Sequence, residues 1–133
     1  MTNRSDAQST QSTESPTKPI RLTDRTELVD LLDADSPVLI EFYTKGCTLC
    51  QSIEPVLGNV ARATGITVGM INPQFDLDVV DEYRITSVPT LIVFENGDEV
   101  GRLADGFQGT DAVIEFLATH LGDEAIESTT TAD

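Results

Sequence analysis

The chain has 133 residues, 39% of them hydrophobic, which is enough for one domain with a buried core. Its net charge of -15, from 23 acidic and 8 basic side chains, argues against a protein that binds nucleic acid through a basic face. Its two cysteines are too few for a disulfide-rich secreted scaffold.

The acidic side chains are spread along the chain rather than confined to one end. Residues 21–122 carry 17 acidic and 6 basic side chains, and Lys18 and Lys45 are the only lysines. Acid-rich, lysine-poor surfaces are typical of proteins from cytoplasms that accumulate salt, because salt screens self-repulsion. We therefore interpret the chain as halophilic, and an ordinary acidic protein is the alternative.

Both ends of the sequence differ in composition from the middle. Residues 1–19 are rich in Ser, Thr and Gln, residues 123–133 are acidic and Thr-rich, and we expect both to be disordered tails. Residues 20–122 then form the single folded domain. The chain contains neither an apolar run of about 18 residues nor an apolar leader segment, so we expect a cytoplasmic protein without a membrane span.

The first half of the domain alternates between helical and strand-like patterns. Asp24 followed by Glu27 is a capping-box pattern, and it predicts a helix that begins near Thr23 or Asp24. Residues 38–43 are a nearly continuous apolar run, typical of a strand buried on both faces. A second helix is predicted over residues 48–63, where apolar side chains repeat at helical spacing.

The second half begins with a predicted strand at residues 66–71 and a short predicted helix at residues 76–83. At the far end, Thr110 is predicted to cap a last helix with its side-chain oxygen. Gly122 is predicted to end that helix, because glycine is the preferred residue just beyond a helix.

The dipeptide Asn96-Gly97 is the strongest turn signal in the chain. It predicts a hairpin between strands at residues 90–94 and 99–103. The predicted order is helix, strand, helix, strand, helix, strand, strand, helix. Alternating units followed by a hairpin imply an α/β fold with a central mixed sheet and helices on both faces.

The two cysteines form the motif Cys47-Thr48-Leu49-Cys50 where the strand at 38–43 passes into the second helix. A C-x-x-C pair there is typical of a redox dithiol, because free N–H groups at a helix start favour a thiolate. Helical spacing turns Cys50 inward and leaves Cys47 outside, so Cys47 is predicted to attack a disulfide and Cys50 to resolve the mixed disulfide. A structural disulfide or two inert thiols are the alternative.

Several motifs occur together with this dithiol: Pro55 in the following helix, Val88-Pro89 before a strand, the hairpin at Asn96-Gly97, and Gly106 after the last strand. With them, residues 20–122 resemble the thioredoxin family. The resemblance implies the thioredoxin fold and a monomeric protein-disulfide reductase that serves electron transport and cell redox homeostasis without a bound cofactor. It also implies disulfide-bonded proteins as substrates and a thioredoxin reductase-like enzyme as the recycling partner.

The resemblance also implies a groove that binds the substrate. In the family, a cis-proline at the position of Pro89 lies beside the C-x-x-C, and the backbone of the preceding residue, here Val88, pairs with an extended substrate. Gly106 and Phe107 are expected to border the same groove. The alternative for Pro89 is that it only begins a strand.

Glu41 is the only charged residue in its apolar strand. A lone buried carboxylate is costly, so its pKa is expected to rise. The family has a buried aspartate here that transfers protons for the resolving thiol, and Glu41 is expected to do the same. The alternative is that strand twist lets Glu41 reach solvent. Met70 replaces the lysine that often partners this acid, which would leave Glu41 unpaired.

Other departures from the family pattern keep alternative functions open. Thr48-Leu49 replaces the usual Gly-Pro between the cysteines, and Gly46 replaces a tryptophan. Because the dipeptide influences the redox potential, a disulfide oxidase or isomerase is one alternative. A peptide-binding module with idle cysteines is another. A metal site is a third, although one C-x-x-C supplies only two thiolates and a four-ligand site would need a dimer.

Overall fold

A computed structural model describes residues 18–122 of the chain, and it contains one five-stranded sheet. The strands are β1 (Ile20–Leu22), β2 (Val38–Phe42), β3 (Thr67–Ile71), β4 (Thr90–Glu95) and β5 (Asp98–Leu103). They lie in the order β1-β3-β2-β4-β5. β3 is parallel to β1 and β2, whereas β4 is antiparallel to β2 and β5, so the predicted mixed sheet is confirmed.

Helices cover both faces of this sheet, as predicted. They are α1 (Arg25–Ala34), α2 (Thr48–Thr64), α3 (Leu77–Tyr83) and α4 (Thr110–Leu121), with a 3₁₀ turn at Pro73–Phe75. One apolar cluster packs α2 and α4 on the sheet, and a second packs α1 and α3 on the opposite face. All five residues of β2 are buried, because its side chains point alternately into the two clusters.

Two local signals in the sequence form the structures that they predicted. The Asp24 carboxylate accepts a hydrogen bond from the N–H of Glu27 at 3.0 Å, and Glu27 accepts one from the N–H of Thr23 at 2.8 Å, which fixes the start of α1. In the hairpin, Asn96 and Gly97 have φ angles of 54° and 85°. Two consecutive positive φ angles match the twist of the flanking strands, so the turn sets the register of β4 and β5.

The structure differs from the sequence prediction at two elements. β1 was not predicted, because three residues are too few to show a period, yet Ile20 pairs with Gly69 at the edge of the sheet. The prediction that Thr110 caps the last helix is wrong. Gly109 is the N-cap, and no side chain caps that end. Thr110 already lies in the first turn, and its hydroxyl accepts a hydrogen bond from the amide of Asn59 at 3.4 Å.

Apart from Lys18 and Pro19, the two predicted disordered tails lie outside the described residues. Within residues 18–122, no helix is both long enough and apolar enough to cross a membrane.

Candidate active site: a dithiol at one edge of the sheet

The register of the sheet brings the predicted site segments, which follow β2 and precede β4, to the same end of these strands. Phe42, the last residue of β2, pairs with Ile71 at the end of β3 and with Thr90 at the start of β4. The segments that follow β2 and precede β4 therefore meet there. The C-x-x-C motif, which follows β2, and the Val88–Pro89 bond, which precedes β4, therefore lie at the same end of these two strands.

Cys47 is the N-cap residue of α2, with an extended backbone at φ -87° and ψ 108°. Its Sγ accepts a hydrogen bond from the N–H of Cys50 at 3.1 Å. At this position the first N–H groups of the helix have no intrahelical acceptors and carry partial positive charge. The geometry therefore stabilises negative charge on Cys47 sulfur whenever the dithiol is reduced.

A disulfide joins Cys47 and Cys50, whose Cα atoms are 5.2 Å apart. Cys50 is 3% exposed and belongs to the core, whereas Cys47 is half-buried. This is the difference in burial that helical spacing predicted. A substrate can approach the residue at the helix start, while the residue one turn further is covered. The attacking and resolving roles stay predictions.

The residues predicted to border the dithiol are apolar or small. The Val88–Pro89 peptide bond is cis, Pro89 is buried and Val88 is half-buried. Gly106 has a φ of 85°, and a Cβ added there would lie 3.8 Å from Leu49 Cδ1. Leu49 and Phe107 are about half exposed, at 47% and 48%. The resemblance gave no reason to include Leu49, because the family usually has proline there. It did imply the other four residues, which are Val88, Pro89, Gly106 and Phe107.

Glu41 lies in the middle of the sheet with no exposed surface. Neither carboxyl oxygen has a hydrogen-bond partner in the described residues, and its cross-strand neighbours are Met70 and Leu91. The pKa of Glu41 is raised from 4.5 to about 8, chiefly because burial disfavours the carboxylate; the negative charge of Glu54 contributes to the rise, and Arg21 opposes it. Because Glu41 is fully buried, the alternative in which it reaches solvent is wrong. The raised pKa has the direction expected from burial.

Among residues 18–122, no group of three or more His, Cys, Asp or Glu side chains lies close enough together to hold a metal ion. Within that part of the chain, the two cysteines therefore lie without a third ligand beside them.

Comparison with known proteins identifies the family of this chain. The family model described as Thioredoxin matches residues 19–119. The chain belongs to the thioredoxin family. Its paired Cys47 and Cys50 make it a thiol–disulfide oxidoreductase, an enzyme that exchanges dithiols and disulfides. The fold and activity expected from the resemblance are thereby confirmed.

Individual thioredoxins match over most of this chain. A thioredoxin of Mycobacterium tuberculosis is 33% identical over 100 residues, covering 74% of this chain and 85% of that protein. The bifunctional thioredoxin reductase/thioredoxin of Mycobacterium leprae is 29% identical over 99 residues, 73% of this chain and 21% of that protein. The solved structure of a mutant thioredoxin from Halobacterium salinarum is 31% identical, with a TM-score of 0.74 over 80% of this chain and 93% of that one.

One group of polar residues near the dithiol was not predicted from the sequence. Arg21 of β1 forms an ion pair with Glu54 of α2, Nη2 to Oε2, at 2.8 Å. Its Nη1 donates a hydrogen bond to the Tyr43 hydroxyl at 3.2 Å, and its guanidinium carbon lies 5.8 Å from the Tyr43 ring centre. Glu54 lies four residues after Cys50 in a helix, and this spacing is the one signal that could have placed it near the site.

Proposed function

We propose that this thioredoxin-family protein reduces disulfides in other proteins. The observation that carries the proposal is the difference between the cysteines, one half-buried at a helix start and the other buried beneath it. The reaction starts when the Cys47 thiolate attacks one sulfur of the substrate disulfide. That S–S bond breaks, a Cys47–substrate mixed disulfide forms, and the other substrate sulfur leaves as a thiolate that takes a proton.

In the second step, Cys50 attacks the Cys47 sulfur. The mixed disulfide breaks, the Cys47–Cys50 disulfide forms, and the second substrate sulfur leaves and is protonated. The substrate has then gained two electrons and two protons, and the enzyme has lost them. Glu41 takes the proton of the Cys50 thiol. With a pKa of about 8, roughly a tenth of Glu41 is ionised at pH 7, so this step is expected to quicken as pH rises, with a midpoint near pH 8.

The substrate lies as an extended strand against the backbone of Val88, beside Pro89. Gly106 leaves room for its backbone, and Phe107 and Leu49 offer apolar contact. The exposure of the last two side chains favours apolar residues beside the substrate disulfide.

The oxidised dithiol is restored by a thioredoxin reductase-like enzyme. The Mycobacterium leprae relative, whose name joins a reductase and a thioredoxin in one chain, supports this pairing. We further propose a monomer that works in the cytoplasm without a bound cofactor, with residues 20–122 as its folded domain. The acidic composition and the likeness to a Halobacterium protein support a cytoplasm of high salt concentration.

The proposal is tested by insulin reduction, followed as turbidity, with a dithiol as electron source. The wild type is expected to exceed the dithiol background, whereas Cys47→Ser is not. Ser52→Ala keeps both cysteines and is the matched control for an exposed change in the same helix. A wild-type rate equal to the background would instead favour a peptide-binding module. A reduction potential well above that of cytosolic glutathione would favour an oxidase or isomerase.

A further inference from the structure

Glu41 has no hydrogen-bonding partner in the described residues, yet charged groups lie on the same face of the sheet. In register, Glu41 is beside Met70, and Met70 is beside Arg21 on the edge strand. Neighbouring strands are about 4.8 Å apart, so the Cα atoms of Arg21 and Glu41 are about 10 Å apart. Met70 carries no charge. The nearest positive charge in this row of paired residues is therefore Arg21, on the strand beyond Met70.

The guanidinium of Arg21 is held in place by two partners. Glu54, one helical turn after Cys50, accepts its hydrogen bond at 2.8 Å, and the Tyr43 hydroxyl accepts another at 3.2 Å. Arg21 thus connects the edge strand β1 to the helix that carries the dithiol. The positive charge of Arg21 and the negative charge of Glu54 are therefore held together beside the layer between the sheet and α2. Glu41 lies in that same layer.

Few other ionisable groups of the described residues face Glu41. Its neighbours on β3 and β4 are Met70 and Leu91, and the buried side chains of α4 on this face of the sheet are apolar. α2 carries Cys50, Glu54 and, in its last turn, Arg62; β1 carries Arg21, and β2 continues to the Tyr43 hydroxyl. Glu54 raises the pKa of Glu41 and Arg21 lowers it, so the two charges act in opposite directions.

We propose that the Arg21–Glu54 ion pair controls the ionisation of Glu41, with Glu54 favouring the neutral carboxyl and Arg21 the carboxylate. This inference depends on the proton-transfer role of Glu41 proposed above. Through that role, the ion pair sets the pH range in which Cys50 resolves the mixed disulfide. Arg21 and Glu54 are positioning residues, because they act through Glu41 and not on the sulfur atoms.

The test compares Glu54→Gln and Arg21→Gln, two variants that remove opposite charges. Infrared spectroscopy follows the carbonyl stretch of the protonated Glu41 carboxyl against pH, with Glu41→Gln as the blank. A unit charge at about 10 Å shifts such a midpoint by roughly 0.5 to 1 pH unit at an intermediate dielectric constant. The midpoint is expected to fall in Glu54→Gln and to rise in Arg21→Gln.

A matched control exists on the other face of the sheet. Glu99 pairs with Arg102 at 2.9 Å, and its exposure is close to that of Glu54. Its register partner Phe94 belongs to the cluster under α1 and α3, away from Glu41. Glu99→Gln is therefore expected to leave the Glu41 midpoint unchanged. The double variant Arg21→Gln/Glu54→Gln should return the midpoint towards that of the wild type.

The second readout is the pH profile of the resolving step, measured by rapid mixing of each reduced variant with an aromatic disulfide. The profile is expected to move with the infrared midpoint, to lower pH in Glu54→Gln and to higher pH in Arg21→Gln. Infrared midpoints that stay fixed, or that move in the same direction, overturn control by the ion pair. Midpoints that separate while the rate profiles coincide overturn the role of Glu41 in resolution instead.

Discussion

The buried carboxyl of Glu41 predicts that the folded protein loses stability as pH rises, and Glu41→Leu tests this. The pKa of Glu41 is about 8 in the fold, against an ordinary value of 4.5, because burial disfavours the carboxylate. Between these two values, the folded protein keeps a proton that the unfolded chain has released. Stability from this group is therefore fully present below about pH 4.5 and is lost as pH rises to about 8.

The size of the effect follows from the two pKa values. A difference of about 3.5, at about 1.36 kcal/mol for each pH unit, gives roughly 5 kcal/mol in total, of which about 3 kcal/mol is lost by pH 7. Leucine has a similar size and does not ionise. The free energy of unfolding of Glu41→Leu, measured relative to that of the wild type, should therefore rise by about 3 kcal/mol between about pH 5.5 and about pH 8.

The assay is urea denaturation of the oxidised proteins at one fixed potassium chloride concentration, with Glu41→Gln as control. Glutamine does not ionise either, so both variants should lose the same pH dependence. Only leucine should also gain stability, because a buried amide without a partner costs about 1–3 kcal/mol. If the unfolding free energies of wild type and Glu41→Leu ran parallel across this pH range, the buried, unpaired state of Glu41 would be refuted.

Three further predictions concern the dithiol, the charge and the packing. Cys50→Ser should hold a substrate as a mixed disulfide through Cys47, as seen by intact-mass spectrometry, whereas trapping by Cys47→Ser would reverse the two roles. Melting temperature should rise up to molar potassium chloride more than in a neutral osmolyte, because the Debye length falls from about 30 Å at 0.01 M to about 3 Å at 1 M. An equal response to both would show that screening is not the cause. Gly69→Ala should cost about 1–3 kcal/mol in urea denaturation, since its Cβ would lie 2.9 Å from Ile40 Cδ1. Gly109→Ser, at an N-cap with open space, should cost nothing.

The sequence predicted the elements whose signals are local. Periodicity, the capping box at Asp24 and the turn at Asn96-Gly97 each depend on a few neighbouring residues, and each is present in the structure. The position of the dithiol was predictable for the same reason, since a C-x-x-C between a strand and a helix needs no distant contact. The burial of Glu41 followed from the apolar run around it.

Contacts between distant parts of the chain were not predictable in this way. β1 is a strand only because Ile20 to Leu22 pair with β3, about 50 residues later, and three residues carry no period of their own. Without β1, nothing in the sequence could bring Arg21 to Glu54. The predicted cap of α4 was wrong because Thr110 and Gly109 both suit an N-cap, and the local sequence does not distinguish between them.

The net negative charge of the chain is expected to affect the proton of the buried Glu41 carboxyl. Residues 21–122 carry 17 acidic and 6 basic side chains, and we expect their combined field at Glu41 to be negative and to favour retention of the proton. Salt screens this field. Potassium chloride should therefore lower the pKa of Glu41 and increase the carboxylate that resolution requires, separately from its effect on folding. Infrared titration of Glu41 at low and at molar salt measures this directly. A midpoint that rises with salt would mean that Arg21, and not the total charge, dominates the field at Glu41.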